Sequence, residues 1–262
     1  MTLETTDSFV PVPGGSIFVR QWCGPQAQGS PLVLLHDSLG SVELWRDFPA
    51  LLAAALNRNV VAYDRLGFGQ STLRTDRPSH AFIDEEAERF FPAVRSALGL
   101  DRFVLFGHSV GGAMALRIAT SMPESCEAVI TESAQCFVER RTLDGIRAAQ
   151  LAFEDPEQLK KLAKRHGQRT QWVLDAWIEV WLSAEFADWS LDPHLSQVRC
   201  PVLAIHGDRD EYGSAAFPRR IASTVSGPSQ MILLEDCGHV PHRERPEEIL
   251  RLVEVFVNER LR

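Results

Sequence analysis

Six short runs of consecutive apolar residues set the limits on how this chain folds: Leu32–Leu35, Val60–Tyr63, Phe103–Phe106, Ala128–Ile130, Val202–Ile205 and Met231–Leu234. Apolar residues without alternation mark strands buried on both faces, the habit of a parallel sheet covered by helices. Amphipathic segments of helical period lie between and after them: Leu44–Leu56, Ile83–Leu98 with Gly99 at its end, Val110–Met122, and Pro246–Leu261 with Glu247 and Glu248 in its first turn. Strand and helix in alternation predict βαβ crossovers and a doubly wound α/β sheet. Ahead of them Phe9–Val12 and Ile17–Arg20 flank Pro13-Gly14-Gly15-Ser16. That is a hairpin signal, because glycine supplies the positive φ of a tight turn. Two hairpin strands and six runs make an expected eight-stranded, mostly parallel sheet.

The alternation fails between Cys136 and Val198, where helix-like stretches follow one another at Leu143–Phe153, Glu157–Arg165 and Thr170–Phe186. Residues 136–198 therefore read as a helical cap inserted into a core made of 1–135 and 199–262. The chain carries 27 basic and 35 acidic residues, net −8, yet Phe137 to Thr170 holds eight Lys/Arg against five Asp/Glu. That local excess hints at a substrate bearing a carboxylate. Trp177 and Trp181, one helical turn apart, either pack the cap's own core or line a substrate cavity beneath it.

The acidic balance argues against a protein that tracks nucleic-acid phosphates. Five scattered cysteines without a CxxC pair exclude a zinc ribbon and speak against a disulfide framework. Met1 to Val10 lack the basic and apolar regions of a signal peptide, and no apolar run nears the roughly 20 residues of a membrane helix. The expectation is a cytoplasmic protein with no membrane or nucleic-acid partner; an exposed cap or sheet edge leaves a homodimer open. No metal or cofactor is expected. Gly67-x-Gly69 lacks the third glycine of a dinucleotide fingerprint, and a calcium loop begun at Asp208 would end on Arg219 instead of an acid.

Chemistry concentrates in Gly107-His108-Ser109-Val110-Gly111, which follows a buried strand and opens a helix. A serine on so sharp a strand-to-helix turn needs neighbours without side chains, and the helix N-terminus aims amides at charge developing there. A serine needs a base, and the base an orienting acid, each at the end of a later strand. His239, after Cys237-Gly238, is the expected general base; His242 is its nearest rival, read otherwise as a loop or helix-cap histidine. Asp208, Asp210 and Glu211 are adjacent candidates for the acid. His36 and His108 border strand ends and could face the pocket or simply pack.

These residues resemble the α/β-hydrolase superfamily over about 9–135 and 199–262. Tyr63-Asp64-Arg65-Leu66-Gly67-Phe68-Gly69-Gln70-Ser71 is similar to its Asp-x-Arg-Gly-x-Gly-x-Ser loop, departing at Leu66. Gly207-x-x-Asp210 and Cys237-Gly238-His239 match its acid and base motifs, so the resemblance implies a Ser109-Asp210-His239 triad. His36-Asp37-Ser38-Leu39-Gly40 stands where the family has His-Gly-x-x-Gly. By position it implies an oxyanion hole from the amides of Ser38 and Val110, with Asp37 in place of a glycine and able to influence what binds. Asp37-Ser38-Leu39-Gly40 also resembles the Asn-Ser-Leu-Gly of 3-oxoadipate enol-lactonases. A serine nucleophile separates the chain from the haloalkane dehalogenase and epoxide hydrolase branches, which use aspartate. The implied function is a serine hydrolase of a small ester, lactone or related acyl substrate, a carboxylic ester hydrolase of class EC 3.1.1. Its alternatives are a C–C bond hydrolase of an aromatic ring-cleavage product, a small-molecule receptor on the same scaffold, and a perhydrolase. The expected pocket residues are His36, Asp37, His108, Trp177 and Trp181.

Overall fold

The structure, a computed structural model, describes residues 3–77 and 79–261; Met1, Thr2, Pro78 and Arg262 lie outside the described residues. Its elements in chain order are β1 (Glu4–Val12), β2 (Gly15–Cys23), β3 (Leu32–Leu35), α1 (Phe48–Leu56), β4 (Val60–Tyr63), α2 (Phe82–Glu85), a π-helical turn (Glu86–Phe90) and α3 (Phe91–Ala97). Then come β5 (Phe103–His108), α4 (Val110–Ser121), β6 (Cys126–Glu132), α5 (Arg140–Ala152), α6 (Pro156–His166), α7 (Thr170–Trp181) and α8 (Asp192–Leu195). β7 (Val202–Gly207), α9 (Ala216–Thr224), β8 (Ser229–Leu234), α10 (Pro241–Glu244) and α11 (Pro246–Arg260) close the chain.

The eight strands form one sheet in the order β1-β2-β4-β3-β5-β6-β7-β8. The hairpin pairs antiparallel, β2 joins β4 antiparallel, and the pairs from β4 onward are parallel. The apolar runs are continuous because successive residues feed opposite layers. Along β5, Phe103 and Leu105 enter the core beneath α3, α4 and the helices of residues 136–198, while Val104 and Phe106 enter the one beneath α1 and α11. The same division splits Val33 and Leu35 from Leu32 and Leu34 on β3.

Two expectations are corrected. Met231–Leu234 does not belong to a strand buried on both faces: β8 pairs only with β7, Leu233 is 42% exposed, and Leu234 alone is buried. The expected helix Ile83–Leu98 is interrupted by the π-helical turn ahead of Pro92, whose missing N–H breaks the regular ladder. Residues 136–198 are helical, apart from loops and one bridge between Phe137 and Ser190. Among the described residues no helix is long and apolar enough to cross a membrane, and all five thiols are free.

Candidate active site

β3, β5, β6, β7 and β8 end at the same edge of the sheet, so the segments after them converge. Ser109 stands between β5 and α4 at φ 55°, ψ −126°, a conformation that costs a non-glycine residue of order 1–3 kcal/mol. Its surroundings enforce it: Ser109 N donates to the Glu132 carbonyl (2.8 Å), and Gly112 N donates to the Ser109 carbonyl (2.9 Å). The turn is too tight for side chains. A Cβ on Gly107 would lie 2.2 Å from the Gly111 carbonyl oxygen, and one on Gly111 2.1 Å from that of Leu35. α4 starts at Val110, whose N–H is one of the first-turn amides that lack an intrahelical partner.

Asp210 and His239 meet from the loops after β7 and β8. His239 Nδ1–H donates to both Asp210 carboxylate oxygens, at 2.8 and 2.9 Å, which leaves Nε2 with its lone pair. Asp210 is fully buried, accepts the Tyr212 N–H (2.8 Å) and lies 3.3 Å from His206 Nε2. Burial alone would raise its carboxyl; His239, then His206 and the Tyr212 amide, hold it below the ordinary value. For His239 burial opposes the imidazolium, but Asp210 outweighs it, with Glu211 and Asp37 adding, so its pKa is raised above 6.5. Asp208, the neighbouring carboxylate, is exposed.

Ser109 and His239 line one cavity of about 240 Å³, just below the roughly 300–1,000 Å³ of sites for drug-sized ligands. Asp37, Ser38, Trp177 and Trp181 line it too, as do Gln135, Glu211 and Tyr212. Trp177 packs edge-on against Tyr212 at 5.7 Å between centroids, and Tyr212 against His239 at 4.8 Å. The two tryptophans thus belong to the buried core on this side of the sheet and line the cavity at once. The Ser109 hydroxyl lies 3.3 Å from Gln135 Oε1, to which it donates, rather than being bonded to His239.

His36 and His108 do not line this cavity; they face a smaller cleft behind Asp37. His36 Nδ1–H donates to the Asp37 carbonyl (2.8 Å) while Nε2 accepts the Arg65 N–H (3.1 Å), so it braces the loop. His108 Nε2–H donates to the His239 carbonyl (2.8 Å). Burial, first among its influences, pushes His108 down to about 4. The basic cap hint is also corrected: Arg141, Arg147, Lys160, Lys161, Lys164 and Arg165 are exposed, and no Lys or Arg is among the cavity's lining residues.

Sequence reading missed Gln135 and Glu132. It also placed His242 as a loop or cap histidine, whereas His242 is buried in α10 with its ring on Glu132 (Nδ1 to Oε2, 2.6 Å). Glu132 ends β6 as the strand's one charged residue buried to 0% exposure, a pattern that marks it in hindsight.

Over its length the chain is 25% identical to a proline iminopeptidase of Heyndrickxia coagulans, covering 97% of this chain and 99% of the relative. Among solved structures it superposes on a 2-hydroxy-6-oxo-6-phenylhexa-2,4-dienoate hydrolase from Rhodococcus sp. strain RHA1 with TM-score 0.75 at 20% identity, covering 98% and 100% of the two chains. The enol-lactonase from Burkholderia xenovorans LB400 gives TM-score 0.75 at 19% identity, over 96% and 100%. The sequence pattern of the Alpha/beta hydrolase family matches residues 32–252, and with the eight-stranded sheet and its strand order already described, the chain belongs to that family.

Proposed function

We propose that this protein is a serine hydrolase that works through an acyl-enzyme on a small ester or lactone. The observation that carries the reading is the strained Ser109 at the strand-to-helix turn, sharing one cavity with a histidine whose Nδ1–H is held by a buried carboxylate. His239 Nε2 takes the Ser109 proton as Oγ attacks the carbonyl carbon, and the imidazolium gains from Asp210. The amides of Ser38 and Val110 would receive the oxyanion, each such donor worth about 2.7–4 kcal/mol in comparable sites. The leaving group departs with the proton from His239, and a water activated by the same histidine then releases the acid. For this step the Ser109 hydroxyl turns from Gln135 Oε1 to His239 Nε2, and catalytic hydrogen bonds often form fully only in the substrate complex.

A second reading, cleavage of an amide in a substrate with a free amino group, is favoured by one observation. The cavity presents two carboxylates, Asp37 and Glu211, and no Lys or Arg side chain. Such a lining disfavours anionic substrates, and the full-length relative is named a peptidase. The C–C hydrolase reading shares with the lactonase reading a solved neighbour of the same fold, and the receptor and perhydrolase readings have no such neighbour among those described.

The test is labelling with a fluorophosphonate probe alongside turnover of p-nitrophenyl acetate and of amino-acid p-nitroanilides. Labelling that vanishes in Ser109→Ala and falls sharply in His239→Ala is expected. A folded wild-type protein that takes no label would overturn the mechanism, and the ratio of ester to anilide turnover decides between the two substrate classes.

A further inference from the structure

Behind the candidate triad lies a second set of buried ionisable groups that the proposed chemistry does not use. Ligand-type atoms of His108, Glu132 and His242 fall within 4.8 Å of one another, on the ends of β5 and β6 and at the start of α10. Hydrogen bonds join Glu132 to His242, just past the loop that carries His239, and join His108 to that loop. Glu132 Oε1 accepts the His242 N–H and Oε2 its ring Nδ1–H, both at 2.6 Å. His108 Nε2–H donates to the carbonyl of His239 itself. The three side chains are almost fully buried, and the rings of Trp45 and Phe48 pack against His242 at 4.8 and 5.2 Å.

This loop needs fixing. Between Leu234 and Pro241 it has no helix or strand of its own. On its solvent side Glu244 accepts from Gly238 N (2.8 Å) and Val240 N (3.2 Å). Asp210 sets the rotation of the His239 ring, but the place of Nε2 relative to Ser109 depends on where the His239 main chain sits. Only buried partners can fix that to a fraction of an ångström, because exposed hydrogen bonds compete with water.

We propose that His108 and the Glu132–His242 pair are positioning residues for the catalytic base and form a clamp: His108 holds the His239 carbonyl against the strand that ends one residue before Ser109, and Glu132 anchors the chain three residues further on, at His242. The inference rests on the Ser109–His239 reading above. The pair is a costly way to fill this space: taking a carboxylate and an imidazole out of water carries a penalty that apolar residues of similar size would avoid, so stability alone does not account for it. A displacement of about 1 Å between reacting groups costs roughly a hundredfold in rate, which sets the scale of what the clamp protects.

The test contrasts amide side chains of different reach. In His108→Gln the amide nitrogen stands about where Nε2 stood and can still reach the His239 carbonyl; in His108→Asn it falls short. At 242 the order reverses, since the Asn amide stands about where Nδ1 stood and the Gln amide overshoots. Turnover number per titrated active site, KM, and the NMR signal of the His239 Nδ1–H are measured in all four. Expected is a turnover loss of about ten- to hundredfold with KM within about threefold for His108→Asn and His242→Gln, recovered mostly in the reach-matched variants. The Nδ1–H signal is lost or broadened in the same two and kept in the others. Equal turnover per site and an unchanged signal in all four, whatever their melting temperatures, would overturn the clamp. The NMR arm does not depend on turnover, so a wild type that takes no fluorophosphonate overturns the serine mechanism while the signal pattern still decides the clamp.

Discussion

Replacing Asp210 with asparagine keeps the side chain's shape and removes one charge from the centre of the candidate triad. At 2.8 Å and an effective dielectric constant near 20, attraction between that carboxylate and an imidazolium is about 6 kcal/mol gross, part of it offset by burial of both groups. A second loss adds to it. The Asn amide N–H₂ cannot accept from Nδ1–H, so facing His239 it drives the proton to Nε2 and removes the base's lone pair. The same change in comparable triads costs about 10⁴-fold in turnover, or about 5.5 kcal/mol at 1.36 kcal/mol per decade, which fits beneath the gross attraction. Turnover of p-nitrophenyl acetate in Asp210→Asn should therefore fall about 10³–10⁴-fold, with fluorophosphonate labelling slowed in step. Asp210 is the largest influence raising the His239 pKa, so the acid limb of the residual activity should also move to lower pH. The exposed Asp208→Asn control should stay within about twofold of wild type. Asp210→Asn activity within tenfold of wild type, or an acid limb that does not move, would refute this account of the acid.

Three further outcomes follow from the same geometry. Asp37 is among the groups that hold His239 above 6.5, and the base acts only when neutral, so Asp37→Asn should shift the acid limb of kcat/KM to lower pH; a limb that stays or rises contradicts the assignment. Below about pH 6.5 an unfolded His108 takes up a proton that the folded one refuses until about 4, so the stability it confers is whole above 6.5 and lost as pH falls, up to about 3 kcal/mol. Chemical denaturation of wild type and His108→Gln between pH 7 and 4 should show a shallower decline in the variant. Gly111→Ala would drive a Cβ to 2.1 Å from the Leu35 carbonyl oxygen, a backbone clash of about 1–3 kcal/mol or more, visible as a lower melting temperature together with lost labelling.

The sheet was legible because its signal is local. A strand buried on both faces must be apolar at every position, and β3 and β4 coincide with the runs that predict them. Where the environment departs from that rule, so does the reading. Met231-Ile-Leu-Leu234 has the composition of an interior strand, yet β8 lies at the edge, and sequence offers no way to see that no ninth strand pairs beyond it. The interruption ahead of Pro92 was visible in principle, since proline cannot donate to a helical ladder; its conversion into a π-helical turn was not, because that depends on what packs there. Glu86 opens that turn, is buried and accepts the Tyr63 hydroxyl at 2.6 Å, a contact across 23 residues.

Within the site the same division holds between residues defined by turn geometry and residues defined by long-range pairing. Ser109, Asp210 and His239 stand at strand ends, where glycine spacing announces a tight turn, and their places follow from order along the chain. Glu132 and His242 are 110 residues apart, and neither has a local signature stronger than a charged residue at a strand's end or a histidine after a proline. They meet because α10 lies over the end of β6, a property of the tertiary fold and not of either segment. The cap's charge misled for a related reason: counting Lys and Arg gives a sum, while substrate meets only the side chains on one face, and those facing the cavity are Thr142, Ile146, Trp177 and Trp181. The acids that do face it, Asp37 and Glu211, come from core loops beside the candidate triad. The cavity's two carboxylates thus lie on loops outside residues 136–198 and also act on His239, so a substitution at Asp37 should alter selectivity and base strength together.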